Sequence, residues 1–119
     1  MTSDKKKKLL LYEEVISVAK SILDGQIGVI SGSRALTGLS HKFDETKRDD
    51  FILFIGIDSD SDNLAIGPER EYWSKEQLAK QDIEIEIVEA YYREDVYNTC
   101  TDLIRQIETE IIELTQDPS

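Results

Sequence analysis

From Ser74 to Asp117 the chain contains neither glycine nor proline, the two residues that most readily end a helix. The run opens on a start signal. In Trp73-Ser74-Lys75-Glu76-Gln77-Leu78, Ser74 at the N-cap and Gln77 three residues on form a capping box, with Trp73 and Leu78 as the flanking hydrophobic staple. Farther along, Val96, Cys100, Leu103, Ile107, Ile111 and Leu114 trace an apolar stripe at helical spacing, with Tyr92 one turn upstream. A single helix of roughly 38 residues would be about 57 Å long, wider than a compact domain of this size. The sequence therefore predicts a break or bend near Tyr91–Asp95, or final turns that project.

The rest of the chain reads mainly as helix. Asp4 is placed to cap a first helix in which Leu9, Tyr12, Ile16, Ala19 and Leu23 recur on one face, and Asp24-Gly25 ends it. Gln26 to Leu39 reads as a second helix. There Gly28, Gly32, Ala35 and Leu39 share a face, so small residues allow a close approach to the first helix despite glycine's poor propensity. His41 to Asp50 reads as a polar loop. Phe51-Ile-Leu-Phe-Ile-Gly-Ile57 fits a buried strand or a buried helix. As a helix, its Phe51, Phe54, Ile55 and Asp58 share a face, with Asp49 or Asp50 as cap. As a strand its partner is the alternating Ile83-Glu-Ile-Glu-Ile87, since a lone strand leaves its backbone groups unpaired. The expected fold class is all-α, a small helical bundle with a long C-terminal helix; the alternative is α+β with a short strand at 51–57.

At 119 residues the chain is expected to form one domain, 1–119, with enough length to bury a core without staples. Cys100 is the only cysteine and His41 the only histidine, which excludes an internal disulfide and a Cys/His zinc cluster. No apolar run is long enough for a membrane span, and the N-terminus has no signal-peptide pattern. The expectation is a cytoplasmic protein.

Charge is the most informative property. The net charge is −11 and its distribution is uneven. Residues 1–48 hold nine basic and six acidic side chains, whereas residues 49–119 hold five basic and nineteen acidic ones, so the acidic excess lies in the C-terminal portion. Such a surface repels nucleic acid. Lys5–Lys8 read as a solubilising tail rather than a membrane anchor. The acidic portion reads as a solvated surface or as a docking face for a basic protein. As that face, the candidate partner-binding residues are Asp58, Asp60, Asp62, Glu69, Glu71, Trp73, Glu86 and Glu89.

One segment suggests a metal. Asp58, Asp60, Asp62 and Glu69 occupy positions 1, 3, 5 and 12 of an EF-hand-like loop, with the Leu64 carbonyl at position 7. Asn63 stands where the loop normally has glycine, Ala65 where it has a branched aliphatic, and Gly67-Pro68 where the exiting helix should run. An acidic turn capped by its own side chains accounts for the same residues, and the calcium-linked regulator is kept as an alternative function. No cofactor is expected. Catalysis has little support: His41 has no nucleophile near it in sequence, and Cys100 sits on the buried stripe. No histidine follows Glu84, Glu86, Glu89 or Glu94 at the spacing of a di-iron bundle. Tyr91 and Tyr92 are expected at the core or its edge. The chain is not expected to be an enzyme.

Small size, helical content, lack of a catalytic constellation and an acidic portion including Asp58, Asp60, Asp62, Glu69 and Glu71 near Trp73 together resemble the bacterial toxin-immunity proteins. The resemblance rests on those class properties across the whole chain and on no matched motif. It implies a stoichiometric inhibitor that plugs the basic substrate cleft of a nuclease toxin, guided there by electrostatic steering. A helical adaptor, with the 96–114 stripe at an interface instead of in the core, is a further alternative.

Overall fold

The computed structural model describes residues 3–43 and 48–116. It is an all-α bundle of four helices, α1 (Ser3–Leu23), α2 (Val29–Ser40), α3 (Ile52–Asp60) and α4 (Lys75–Gln116). Short 3-10 turns at Asp49–Phe51 and Pro68–Tyr72 precede α3 and α4. There is no strand among the described residues, so the α+β alternative is overturned: 51–57 lies in the turn and α3, and Ile83–Ile87 lies within α4.

The predicted capping box at the start of α4 is present. Gln77 N–H donates to Ser74 Oγ and Ser74 N–H donates to Gln77 Oε1, both at 3.1 Å, so two otherwise orphaned amides are satisfied reciprocally. The predicted break is absent. α4 runs for 42 residues without interruption, and the molecule's longest dimension, 59 Å, is close to the length of this one helix. Nor is it the final turns that lie free. Val96, Cys100, Leu103 and Ile107 are buried in the C-terminal half, while no residue from 75 to 95 is fully buried. The domain accommodates a helix longer than itself by leaving the N-terminal half outside the core.

α1 lies along the buried half of α4, and α2 packs against α1 and α3. Gly25 ends α1 with φ +76°, the left-handed conformation expected there. Asp4 falls inside the first turn of α1 and is not its N-cap. The buried positions of α1 are Tyr12, Val15, Ala19 and Ile22, with Ile16 and Leu23 only half-buried, so its stripe is rotated slightly from the predicted one. α2 begins at Val29, later than expected. The close approach does occur at Gly32, where a Cβ would fall 2.3 Å from Ile22 side-chain carbons, but Ala35 is exposed. In α3 the buried residues are Phe54 and Ile57, following buried Phe51; Ile55 faces outward, and neither Asp49 nor Asp50 makes a side-chain cap.

Phe43 turns the supposedly polar loop into a core contact. Tyr12, Phe43, Phe51 and Phe54 form a chain of rings with neighbouring centroids 5.7, 5.7 and 6.5 Å apart. The Arg48 guanidinium lies 4.8 Å from the Phe43 centroid. It donates to both Glu110 carboxylate oxygens, at 2.7 and 2.6 Å, and to Asp50 at 2.7 Å. Tyr12 Oη donates to the same Glu110 at 3.1 Å. Hydrogen bonding from Arg48 holds the Glu110 carboxyl below its ordinary range.

Candidate functional site

The segment joining α3 to α4 carries most of the predicted site residues, and its shape is set by two arginines. Arg34, on α2, donates to the backbone carbonyls of Ser61 and Leu64, the latter at 3.1 Å, and its Nε lies 3.8 Å from Asp58. Arg70 donates to the Ala65 carbonyl at 2.9 Å and pairs with Asp82 on α4 at 2.8 Å. Ser61, fully buried, ties itself to the preceding turn by donating to the Ile57 carbonyl. Leu64 and Ala65 are also buried, so the middle of the segment is anchored while its acidic residues remain outside.

This arrangement answers the EF-hand pattern atom by atom. The Leu64 carbonyl, the expected position-7 ligand, faces a guanidinium. Asp58 turns to Arg34, and Asp60 accepts a hydrogen bond from Tyr92 Oη at 2.9 Å. Glu69 folds back onto the amides of its own loop, including Ile66 N–H at 3.3 Å, and those bonds hold its carboxyl below the ordinary range. Asp62 is exposed. Among the described residues no three acidic, histidine or cysteine side chains converge as a cation would require.

The segment is fastened to the exposed half of α4 at three points: Tyr92–Asp60, Arg70–Asp82, and Ala65 N–H donating to Gln81 Oε1 at 2.8 Å. The segment and the exposed half of α4 therefore sit side by side. Asp60, Asp62, Glu69 and Glu71 on the segment are exposed, as are Glu84, Glu86, Glu94 and Asp95, which are distributed around the helix. Trp73, 36% exposed, borders a shallow groove with Gln77, Lys80, Gln81 and Glu84 at the start of α4. Glu86 lies 3.6 Å from Arg93.

Glu89 has a different assignment. Its Oε2 accepts hydrogen bonds from Val29 N–H at 2.6 Å and Ile30 N–H at 3.2 Å, so it caps the N-terminus of α2 from across the bundle. Gly28 leaves room for it: a Cβ there would stand 2.4 Å from Glu89 Oε1. Charge alone groups Glu89 with the docking candidates, whereas the structure gives its carboxylate an internal partner.

Tyr91 and Tyr92 part company. Tyr92 is half-buried and bonded to Asp60, whereas Tyr91 is 76% exposed, which corrects its expected place at the core or its edge. The two rings meet edge to face, with centroids 4.8 Å apart and planes at 89°. Ile83 and Ile87, 65% and 63% exposed, continue the line of Tyr91 up the helix. The alternation of Ile83–Ile87 reads as a strand and Tyr91 as core edge, which hides the row; the spacing of four from Ile83 to Ile87 to Tyr91 is the signal that reveals it.

The other candidates for chemistry stay silent. His41 is exposed just past the end of α2. Cys100 is fully buried, and desolvation pushes its thiol up to about 12, far from a reactive thiolate. No helix among the described residues is long and apolar enough to cross a membrane. No family model, curated protein or solved structure matches this chain.

Proposed function

We propose that this chain is a binding protein of the immunity type, which neutralises a basic, nuclease-type toxin domain by occupying its substrate cleft. The observation that supports the reading is that one acidic stretch, the 58–72 segment, is fastened alongside another, the exposed half of α4. The 58–72 segment carries five acidic residues against one basic, and the 75–95 stretch of α4 seven against three. Internal arginines hold the segment in place, so the surface needs little ordering when a partner arrives, and preorganisation of this kind favours binding. A cleft built to hold phosphates presents the complementary charge, and carboxylates at its mouth exclude the nucleic acid.

The test is a search beside this chain's gene for a basic, nuclease-like domain, followed by co-expression with the domain found. The expected result is relief of growth arrest and a one-to-one complex whose association rate falls steeply with added salt while dissociation changes little. A quadruple variant, Asp58→Asn, Asp60→Asn, Asp62→Asn and Glu69→Gln, should bind more weakly with its helical circular dichroism retained. Wild-type protection by that variant removes the segment from the docking face. Absence of any complex with the neighbouring basic domain overturns the reading.

A further inference from the structure

The row Ile83, Ile87 and Tyr91 lies on the side of α4 turned away from the bundle. At about 100° per residue, these positions share a face opposite the seam marked by Ile85, Tyr92 and Val96. Three large apolar side chains, each more than 60% exposed, stand there in succession. Glu84 and Asp95 border the row on one side, Glu86, paired with Arg93, on the other, and Glu94 follows it. Tyr91 is also steadied, since its ring rests against Tyr92, which is in turn bonded to Asp60.

From this geometry we propose that the row receives one amphipathic α-helix of the partner protein, apolar along one stripe and lysine- or arginine-rich along both edges. The proposal rests on the reading above only in taking the partner to be basic; it does not require the partner to be a toxin. A ridge of residues spaced by four fits the groove of a second helix, and acidic borders select basic edges. A second copy of this chain is disfavoured as occupant, because pairing would bring two molecules of charge −11 together along their acidic faces. Tyr91 acts as the anchor, since a restrained aromatic ring loses little freedom on burial. Asp60 is a positioning residue, acting on Tyr91 through Tyr92.

The experiment titrates the full chain with three synthetic peptides. One is an amphipathic helix with a leucine stripe and lysine edges, the second has the same composition scrambled to destroy the stripe, and the third has glutamate in place of lysine. The striped basic peptide should bind at least tenfold more tightly than either control. Ile87→Asp should weaken that binding at least tenfold, even though it adds negative charge that by itself favours a cationic ligand. Ile112→Asp, at a site 54% exposed near the far end of the same helix, should leave it unchanged. Equal binding of the striped and scrambled basic peptides overturns the helix-docking proposal and leaves the acidic docking face standing. Failure of both basic peptides to exceed the glutamate peptide overturns the docking face as well. A wild-type dimer that Ile87→Asp dissociates would show a second copy as the occupant, and would likewise overturn the proposal.

Discussion

The two halves of α4 belong to the same uninterrupted helix and are held by different physics. From Val96 to Ile107 its inner face is buried against α1, with Val96, Cys100, Leu103 and Ile107 inaccessible or nearly so. From Lys75 to Asp95 its inner face is only half-covered, and the contacts are mostly hydrogen bonds and an ion pair to the 58–72 segment and α2. Hydrophobic burial fixes the first half whatever its local sequence prefers. The second half depends on its own helix formers, its capping box and a few polar ties. A region free of core duty is also free to present apolar side chains outward, and here it does so.

The largest effect separating the halves should come from Leu103→Ala, which leaves a cavity in the core. A loss of about 2–5 kcal/mol is expected in denaturant titration. A loss near zero would mean that the buried half is not the stabilising half, and the contrast would collapse. Next is Arg48→Met, which keeps an apolar stem beside Phe43 and Phe51 but strips Glu110 of its main partner. About 2 kcal/mol should be lost at neutral pH. The sign of the accompanying pH effect follows from Glu110, whose folded-state value is depressed from the ordinary 4.5. Its stabilisation is present above about pH 4.5 and is lost as pH falls through the lower folded value. In Arg48→Met the acid-side decline should therefore be shallower.

Smaller effects sharpen the contrast on the exposed side. Ser74→Ala breaks the capping box and should cost about 1 kcal/mol, read as faster amide hydrogen exchange over 75–80 with the 96–107 amides unchanged. Equal acceleration of both stretches would show that the halves unfold as one unit. Smallest of all should be Ile83→Gln in the free protein, within about 0.5 kcal/mol of wild type. Set beside Leu103→Ala, it compares the loss of an exposed apolar side chain with the loss of a buried one on the same helix.

Signals carried by neighbours in sequence were legible: the Ser74–Gln77 box, the Gly25 terminator and the 96–107 stripe all matched the structure, whereas the short apolar run 51–57 fitted helix and strand equally and was decided by packing. Register was harder. α1 carries apolar residues at both 15–16 and 22–23, and only the packing of α1 on α4 decides that Val15 and Ile22 go inward. The length of α4 was legible but not which end outruns the domain: a bend or projecting final turns were expected, whereas the N-terminal half is the part outside the core. Least legible were the residues that shape the candidate site. Arg34 reaches carbonyls 27 and 30 residues away, and Glu89 reaches amides 59 and 60 residues away. Nothing local announces such partners. The same holds for Arg48, which a polar loop concealed until Glu110 came beside it 62 positions later in the chain.

The guanidinium of Arg34 stands among the carbonyls of Ser61 and Leu64 and the carboxylate of Asp58, where the aspartate-rich string would otherwise invite a metal. A covalently supplied counterion changes when the acidic surface becomes available. A loop that must capture a dissolved ion takes its shape only where that ion is abundant, and yields it to a chelator. A loop closed by its own arginine is finished at the moment the chain folds, at a local concentration no solution can dilute. The readiness of that loop is then set by synthesis and folding alone, with no dissolved ion in the sequence of events.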